Sequence, residues 1–331
     1  MLTEPPDLDR RELVAVLERF WSLHGVTIDY LPVGFGSHHW HARDDRGERR
    51  FVTVDDLHAG FQPGSDADEA FASLERALRT AVALRDEAGL EFVVAPLAAD
   101  TGGAVYRLSQ RYAVTVFPFV EGKSSPHGRY ESRAERRRMG VVLGRLHAAT
   151  GRIAAELPRR EDFLLPSRAA LEDALGDLGR VWKTGPFAEP TRALLDVRAA
   201  DVESRLEEYD AMADRALRSE GSWVITHGEP HRANVIRGVR ALRLVDWDTT
   251  LLAPRERDLE VLLDEDHGGW PEYAGESGAI AVDQEVLQLY RKRWALAEIA
   301  VYVALFRRPH ERTEDTSKSW RNLTGYLTVS S

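Results

Sequence analysis

The sequence predicts an α+β fold in two lobes, a β-rich N-terminal lobe over residues 1–120 and a mainly helical C-terminal lobe over residues 121–331. Three observations carry this. Short runs of β-branched and aromatic residues, broken by Asp and Gly, crowd the first third of the chain, as strands on a pleated surface require. Beyond Val120-Glu121-Gly122 the apolar residues recur at helical spacing. Within that helical part, two short apolar runs, residues 223–226 and 242–246, bracket a loop dense in His, carboxylate and amide groups. A length of 331 residues suits two domains or lobes at roughly 150 residues each.

The elements follow in order. Asp9 caps a helix over residues 10–23, with Glu12 set to complete a capping box and Leu13, Val16, Leu17, Phe20 and Trp21 forming one apolar stripe. Residues 26–33 read as a strand that runs into the turn Gly34-Phe35-Gly36-Ser37. Residues 38–43 and 50–54 follow as a hairpin across Asp44-Asp45-Arg46-Gly47, whose chemistry suits a tight reversal. A helix covers residues 69–87 and stops near Gly89, and two more strands cover 104–108 and 112–120. Ser132 and Glu135 form a capping box for a helix bearing Met139, Val142, Leu143 and Leu146. A long amphipathic stretch occupies residues 190–218, and residues 286–306 form a helix near the end of the chain. The apolar, short connection at Val120 reads as a hinge rather than a flexible tether.

Composition narrows the function. Hydrophobic residues make up 43% and charged residues 30%, which supports an ordinary globular core. The absence of cysteine removes disulfides, thiolate metal sites and cysteine nucleophiles. The opening MLTEPPDLDRRE lacks the apolar core of a signal peptide, and no run of about 18 apolar residues occurs, so a cytoplasmic protein without a membrane partner is expected. A net charge of −10, from 44 basic and 54 acidic residues, argues against a nucleic-acid partner. It suits a cationic small molecule, although solubility alone also explains it. The oligomeric state cannot be read.

The chemistry concentrates in His227-Gly228-Glu229-Pro230-His231-Arg232-Ala233-Asn234 and in Leu244-Val245-Asp246-Trp247-Asp248. A loop carboxylate, an amide and a carboxylate after the next strand suit phosphoryl transfer. One acid orients or deprotonates the attacking hydroxyl, while an amide oxygen and an acid hold magnesium on the nucleotide phosphates. His227 and His231, four residues apart without a helix or a third ligand, do not make a zinc site. Ordinary hydrogen bonding within the loop explains His231.

This set resembles the aminoglycoside-phosphotransferase family, whose catalytic loop runs roughly His-Gly-Asp-x-His-x-x-Asn with Asp-Trp-Asp or Asp-Phe-Glu about a dozen residues on. The segments LAPRERDL at residues 252–259 and LGRLHAAT at 143–150 are similar to further family segments. YRKRWALAEIAVY at 290–302 is similar to the final helices of the spectinomycin-phosphotransferase branch. The resemblance is strong over residues 140–305 and weaker over 26–120, where FPFVEG at 117–122 stands in the place of the interlobe hinge. It implies a two-lobed protein-kinase-like fold and a magnesium-dependent transfer from ATP or GTP to a hydroxyl of a small, cationic acceptor such as an aminoglycoside or aminocyclitol. Residues 1–120 would then form the nucleotide lid. Glu229 takes the catalytic-base position, Asn234 and Asp246 the metal positions, and His227 orients the loop. Asp248 would sit beside substrate or metal. Gly34, Gly36, Ser37, Thr53, Phe117 and Phe119 stand where the nucleotide should bind. Asp264, Glu265 and Trp270 are acceptor-site candidates, with a solvated helix end and packing under a loop as the plainer alternatives. A resistance role and a metabolic role are equally compatible with this set.

The sequence departs from the pattern at three places. Glu229 replaces Asp at the base position and is one methylene longer. Thr53 falls where a phosphate-binding lysine is expected, and Thr cannot neutralise phosphate charge; Arg49, Arg50 or a nearby His would have to supply it. Gly34-Phe35-Gly36 is only a short turn, and His39 and His41 beyond it share a strand face that reads as solvent-facing. These departures also allow a kinase-fold protein that binds or regulates without transferring phosphate.

Overall fold

The computed structural model describes residues 1–59, 62, 64, 66–154, 156–218, 223–238, 241–263 and 268–328. In chain order the elements are α1 (Arg10–Phe20), β1 (Thr27–Leu31), β2 (Ser37–Arg43), β3 (Arg49–Asp56), α2 (Ala67–Asp86), β4 (Tyr106–Arg107), β5 (Tyr112–Pro118) and α3 (Arg133–Ala148). There follow β6 (Arg159–Arg160), α4 (Arg168–Gly176), α5 (Ala188–Arg218), β7 (Val224–Thr226), β8 (Val235–Arg237), β9 (Leu242–Leu244) and β10 (Leu251–Ala253). The chain ends with α6 (Glu256–Leu259), α7 (Trp270–Ser277), α8 (Gln284–Phe306) and α9 (Glu314–Thr328). The fold is α+β, with a sheet in the N-terminal region and helices dominating the C-terminal region. No described helix is long and apolar enough to cross a membrane.

The chain divides into two compact units. The larger holds Glu4–Glu161 and Gly221–Asp283; the smaller holds Met1–Thr3, Asp162–Glu220 and Gln284–Ser331. Val120 falls inside the larger unit, and its role as a hinge belongs to the functional proposal below.

The larger unit is built on a five-stranded antiparallel sheet in the order β1-β2-β3-β5-β4. Strand alternation gives it two unlike faces. One carries Trp40, Ala42, Val52, Val54, Val114 and Val116 into a core shared with Leu13, Leu17 and Trp21 from the α1 region. Trp40 is wholly buried, and truncating so large a side chain to Ala typically costs about 3–5 kcal/mol. The other face carries Ser37, His39 and His41 beside Phe51, Thr53 and Asp55, and this polar face matters for the site. Asp44 closes the β2–β3 hairpin by accepting the Arg46 and Glu48 amides. Asp9 caps α1 by accepting the Arg11 N–H, and the helix stops at Phe20, shorter than expected, because Ser22 turns to φ 51°. Asp66 caps α2 through the Asp68 and Glu69 amides.

The Ser132–Glu135 capping box that opens α3 is formed in full. α3 packs on α7 through two glycines. A Cβ on Gly140 would stand 2.3 Å from the Gly269 carbonyl oxygen, so only glycine permits that approach. The smaller unit packs α5, α8 and α9 with α4, and Asp315 ties in the first residues by accepting the Leu2 and Thr3 amides.

Candidate active site

The loop between β7 and β8 is positioned by two small sheets. β7 pairs antiparallel with β10, which pairs parallel with β6, while β8 and β9 form a hairpin in which Val235 faces Leu244. That register sets Asn234 next to the residues after β9, and the Val245 N–H donates to the Asn234 carbonyl at 3.0 Å. The Asn234 amide donates to the Glu229 carbonyl at 3.0 Å, and its side chain is close enough to the Asp246 carboxylate to favour the charged form. Glu229, Asn234 and Asp246 therefore belong to one polar cluster.

His227 is the pin of the loop. It is fully buried, its Nε2 lies 2.9 Å from the Val245 carbonyl, and its Nδ1 lies 3.2 Å from the Glu229 amide. A carbonyl only accepts and an amide N–H only donates, so the proton sits on Nε2 and the ring is neutral. Burial pushes its pKa down to about 4, in keeping with that state. The Trp247 ring, wholly buried, closes over it at 4.6 Å between centroids.

Asp258 braces the loop from beneath. Its carboxylate accepts the His227 N–H at 2.8 Å and the Gly228 N–H at 2.7 Å, and lies 3.1 Å from His147 Nε2. Burial raises its pKa, but the His147 hydrogen bond, the neighbouring imidazoles and the Arg257 guanidinium outweigh this and hold it below the usual range. Tyr273 fixes His147 in turn, with its hydroxyl 2.8 Å from Nδ1. Arg257 donates to the Thr226 hydroxyl and the Thr249 carbonyl. Gly228 is required on two grounds: its φ is +101°, and a Cβ there would stand 2.4 Å from the Arg257 guanidinium. Asp258 and His147 lie in the segments LAPRERDL and LGRLHAAT, but the sequence does not reveal that they hold the loop backbone.

Four carboxylates gather at this point. Asp248 is pushed up to about 6 by crowding of the surrounding chain and by Glu229. Asp246 is solvent-exposed, yet protein surrounds it closely enough to withhold hydration, and repulsion from Asp248, Glu229 and Asp55 raises its pKa further. Its φ of +71° is strained for a non-glycine residue, as is common at functional sites. Glu229 behaves oppositely: burial raises it, but His231, with His227 and Arg257, brings it below its ordinary value. His231 Nε2 lies 3.6 Å from the Glu229 carboxylate and restrains the longer side chain. Asp55 is the member the sequence analysis missed, because strand β3 runs past Val54 to Asp56. It is buried, accepts from the Ser37 hydroxyl at 2.6 Å, and is pushed up to about 7 by burial and by Asp248. Gln62 donates to Asp248 at 2.9 Å.

This crowding fits a bound cation. Asp246 and the Asn234 amide oxygen are the hard donors magnesium prefers, and the repulsion that raises Asp246 and Asp248 is relieved by positive charge. Among the described residues no three His, Asp or Glu side chains group as a self-sufficient metal site. A two-ligand site that relies on phosphate oxygens and water has the character expected for magnesium.

Across the sheet's polar face, Gly34 and Gly36 turn with φ of +75° and +95°. Ser37 is engaged with Asp55, and Thr53 Oγ1 lies 3.3 Å from His39 Nδ1. His39 is half-buried under the Gly34 turn rather than simply facing solvent, and burial lowers its pKa to about 3. Arg49 pairs with Glu121 and lies over the Phe119 ring, and Arg50 pairs with Glu48, so neither stands in for a lysine at Thr53. Phe117 lies across from Phe51, and Phe119 touches His41 with centroids 4.9 Å apart. Trp270 opens α7 with its ring 5.5 Å from Tyr273, and no ring contact or hydrogen bond among the described residues joins it to the acidic cluster. Asp264 and Glu265 lie outside the described residues.

An antiparallel sheet facing a braced loop, with a carboxylate, an amide and a second carboxylate gathered between them, defines a kinase-type phosphotransferase. The chain belongs to the APH phosphotransferase enzyme family, whose model matches residues 28–302. It is 31% identical over 255 residues to protein StrN of Streptomyces griseus, covering 74% of each chain. The fold is similar to that of spectinomycin phosphotransferase APH(9)-Ia, solved with ADP and spectinomycin, at a TM-score of 0.69 and 16% identity over 96% of this chain and 94% of that one. It is also similar to a microcompartment-associated aminopropanol kinase, at 0.56 and 16% over 96% and 95%. The choline kinase LicA of Streptococcus pneumoniae scores 0.56 at 12% identity over 96% and 99%. The protein is therefore a phosphotransferase of this family.

Proposed function

We propose that the protein transfers the γ-phosphoryl group of ATP or GTP, with magnesium, to a hydroxyl of a small cationic acceptor, an aminocyclitol or an aminoglycoside. The observation that carries this reading is the grouping of Glu229 and Asn234 with Asp246 and Asp248, two carboxylates whose pKa values are raised by lost hydration and then by their acidic neighbours. Glu229 is ionised at neutral pH and accepts the hydrogen bond of the attacking hydroxyl. A carboxylate of low pKa is a weak base, so its main contribution is orientation, with the proton passing to it as the new P–O bond forms. His227 holds the Glu229 backbone, and His231 restrains the extra methylene that separates Glu from the family's Asp. Asn234 and Asp246 would hold magnesium, which supplies charge neutralisation on the β- and γ-phosphates.

Asp248 and the neighbouring negative charge favour an acceptor bearing ammonium groups. Spectinomycin, held by the structurally similar APH(9)-Ia, is a compound of that kind. Residues 1–120 act as the nucleotide lid, with residues 117–122 as its hinge, and dependence on ATP suits a cytoplasmic enzyme. The test is phosphorus NMR of ATP or GTP with magnesium and a panel of aminocyclitols, aminoglycosides and uncharged sugars. The expected result is a phosphomonoester on an amine-bearing acceptor. Turnover confined to uncharged acceptors overturns the cationic part, and undiminished turnover in Asp246→Ala overturns the whole reading.

A further inference from the structure

We propose that His39 makes the phosphate contact that a lysine at position 53 would have made, donating from Nε2 to the nucleotide phosphates beneath the Gly34–Gly36 turn while Thr53 holds its Nδ1. This rests on the phosphotransferase reading and assigns a phosphate-binding residue within that site.

Strand register is the first support. His39 on β2 lies directly across from Thr53 on β3, on the polar face that also carries Asp55. The side chains meet, with Nδ1 3.3 Å from the Thr53 hydroxyl. When that hydroxyl donates, Nδ1 is an acceptor and the ring proton must sit on Nε2. The Phe51 ring, 5.0 Å away by centroid, limits rotation of the imidazole.

The glycine turn is the second. Nε2 has no hydrogen-bond partner among the described residues, and it lies 3.0 Å from where a Cβ on Gly34 would stand. The turn thus passes directly over the free donor, and Gly34 is the residue whose side chain would crowd it. A phosphate cradled by backbone amides of such a turn would meet Nε2–H from below.

Elimination is the third. Arg49 and Arg50 are engaged with Glu121 and Glu48, and stand three or four residues from Thr53, about 10–13 Å along the strand. The Ser37 hydroxyl is given to Asp55. Burial keeps the His39 ring neutral, so it offers a directed hydrogen bond rather than a full charge.

The test measures the affinity of purified protein for magnesium-ATP, magnesium-GTP and adenosine by titration calorimetry, together with kcat and KM. His39→Ala is expected to weaken triphosphate binding about tenfold, the scale of one hydrogen bond to a charged group, and to leave adenosine binding unchanged. His39→Gln, which retains an N–H donor, recovers part of the loss, and adding Thr53→Lys to His39→Ala recovers more. Equal losses for ATP and adenosine mean that His39 only packs beneath the turn, and overturn the inference. Triphosphate binding unchanged in His39→Ala overturns it alone. Wild-type protein that binds neither triphosphate overturns the phosphotransferase reading with it.

Discussion

The β7–β8 loop and the polar face of the five-stranded sheet lie in one compact unit, yet they are held in different ways. The loop backbone is bracketed by side chains: Asp258 takes two successive amides, His227 bridges Val245 and Glu229, and Arg257 spans Thr226 and Thr249. The sheet face is held mainly by its ladder, with Ser37–Asp55 and His39–Thr53 as cross-strand side-chain links. A loop braced in this way fixes the backbone at Glu229 and Asn234, so a carboxylate one methylene longer than the family's Asp still joins the polar cluster. A strand fixes only which face a side chain takes, so a lysine can give way to Thr53 with His39 beside it.

The contrast makes graded predictions. Glu229→Gln is expected to lower kcat by about 10²–10⁴ without moving the melting temperature, because it removes the proton acceptor and leaves the backbone bracket intact. Glu229→Asp should cost less, since it restores the family's shorter side chain. Asp258→Ala is expected to destabilise the protein by about 3–5 kcal/mol, because two buried amides lose their acceptor and His147 its partner. Thermal or denaturant unfolding would read that loss, and a normal melting temperature would show that the bracket contributes little.

Gly228→Ala should cost about 1–3 kcal/mol from its positive φ, with a further penalty from the Arg257 clash. Asp55 tests the sheet face through pH. Its folded pKa is raised to about 7, so protonated Asp55 favours the folded state. That contribution is fully present below the unfolded value near 4 and is lost as pH rises to 7. Asp55→Asn should therefore melt higher than wild type at pH 8, with the gap closing by pH 5. Thr53→Val, the mildest change, should alter stability by less than about 1 kcal/mol.

Much of the loop was legible because HGEPHRAN and LVDWD carry residue types that only a polar site explains. The hairpin turn at Asp44 and the capping box at Ser132 were legible because their chemistry is local. What escaped notice depends on distant parts of the chain. Asp258 captures amides about thirty residues away, and nothing in its own neighbours signals this. Asp55 joins the acidic cluster only because β3 continues two residues further than its apolar pattern suggested. Arg49 and Arg50 are substitutes for the lysine by position alone; their pairing with Glu121 and Glu48 depends on chain geometry that the local sequence does not carry. Trp270 packs its ring on Tyr273, the residue that fixes His147.

Magnesium dependence of nucleotide affinity is the decisive quantity, measured by calorimetric titration of ATP and GTP into wild-type protein and Asp246→Ala with and without the metal. Wild type should bind at least tenfold more tightly when magnesium is present, and Asp246→Ala should lose that gain while keeping its metal-free affinity. Binding that ignores magnesium in the wild type, or a gain that survives in Asp246→Ala, would show that Asn234 and Asp246 do not form the metal site.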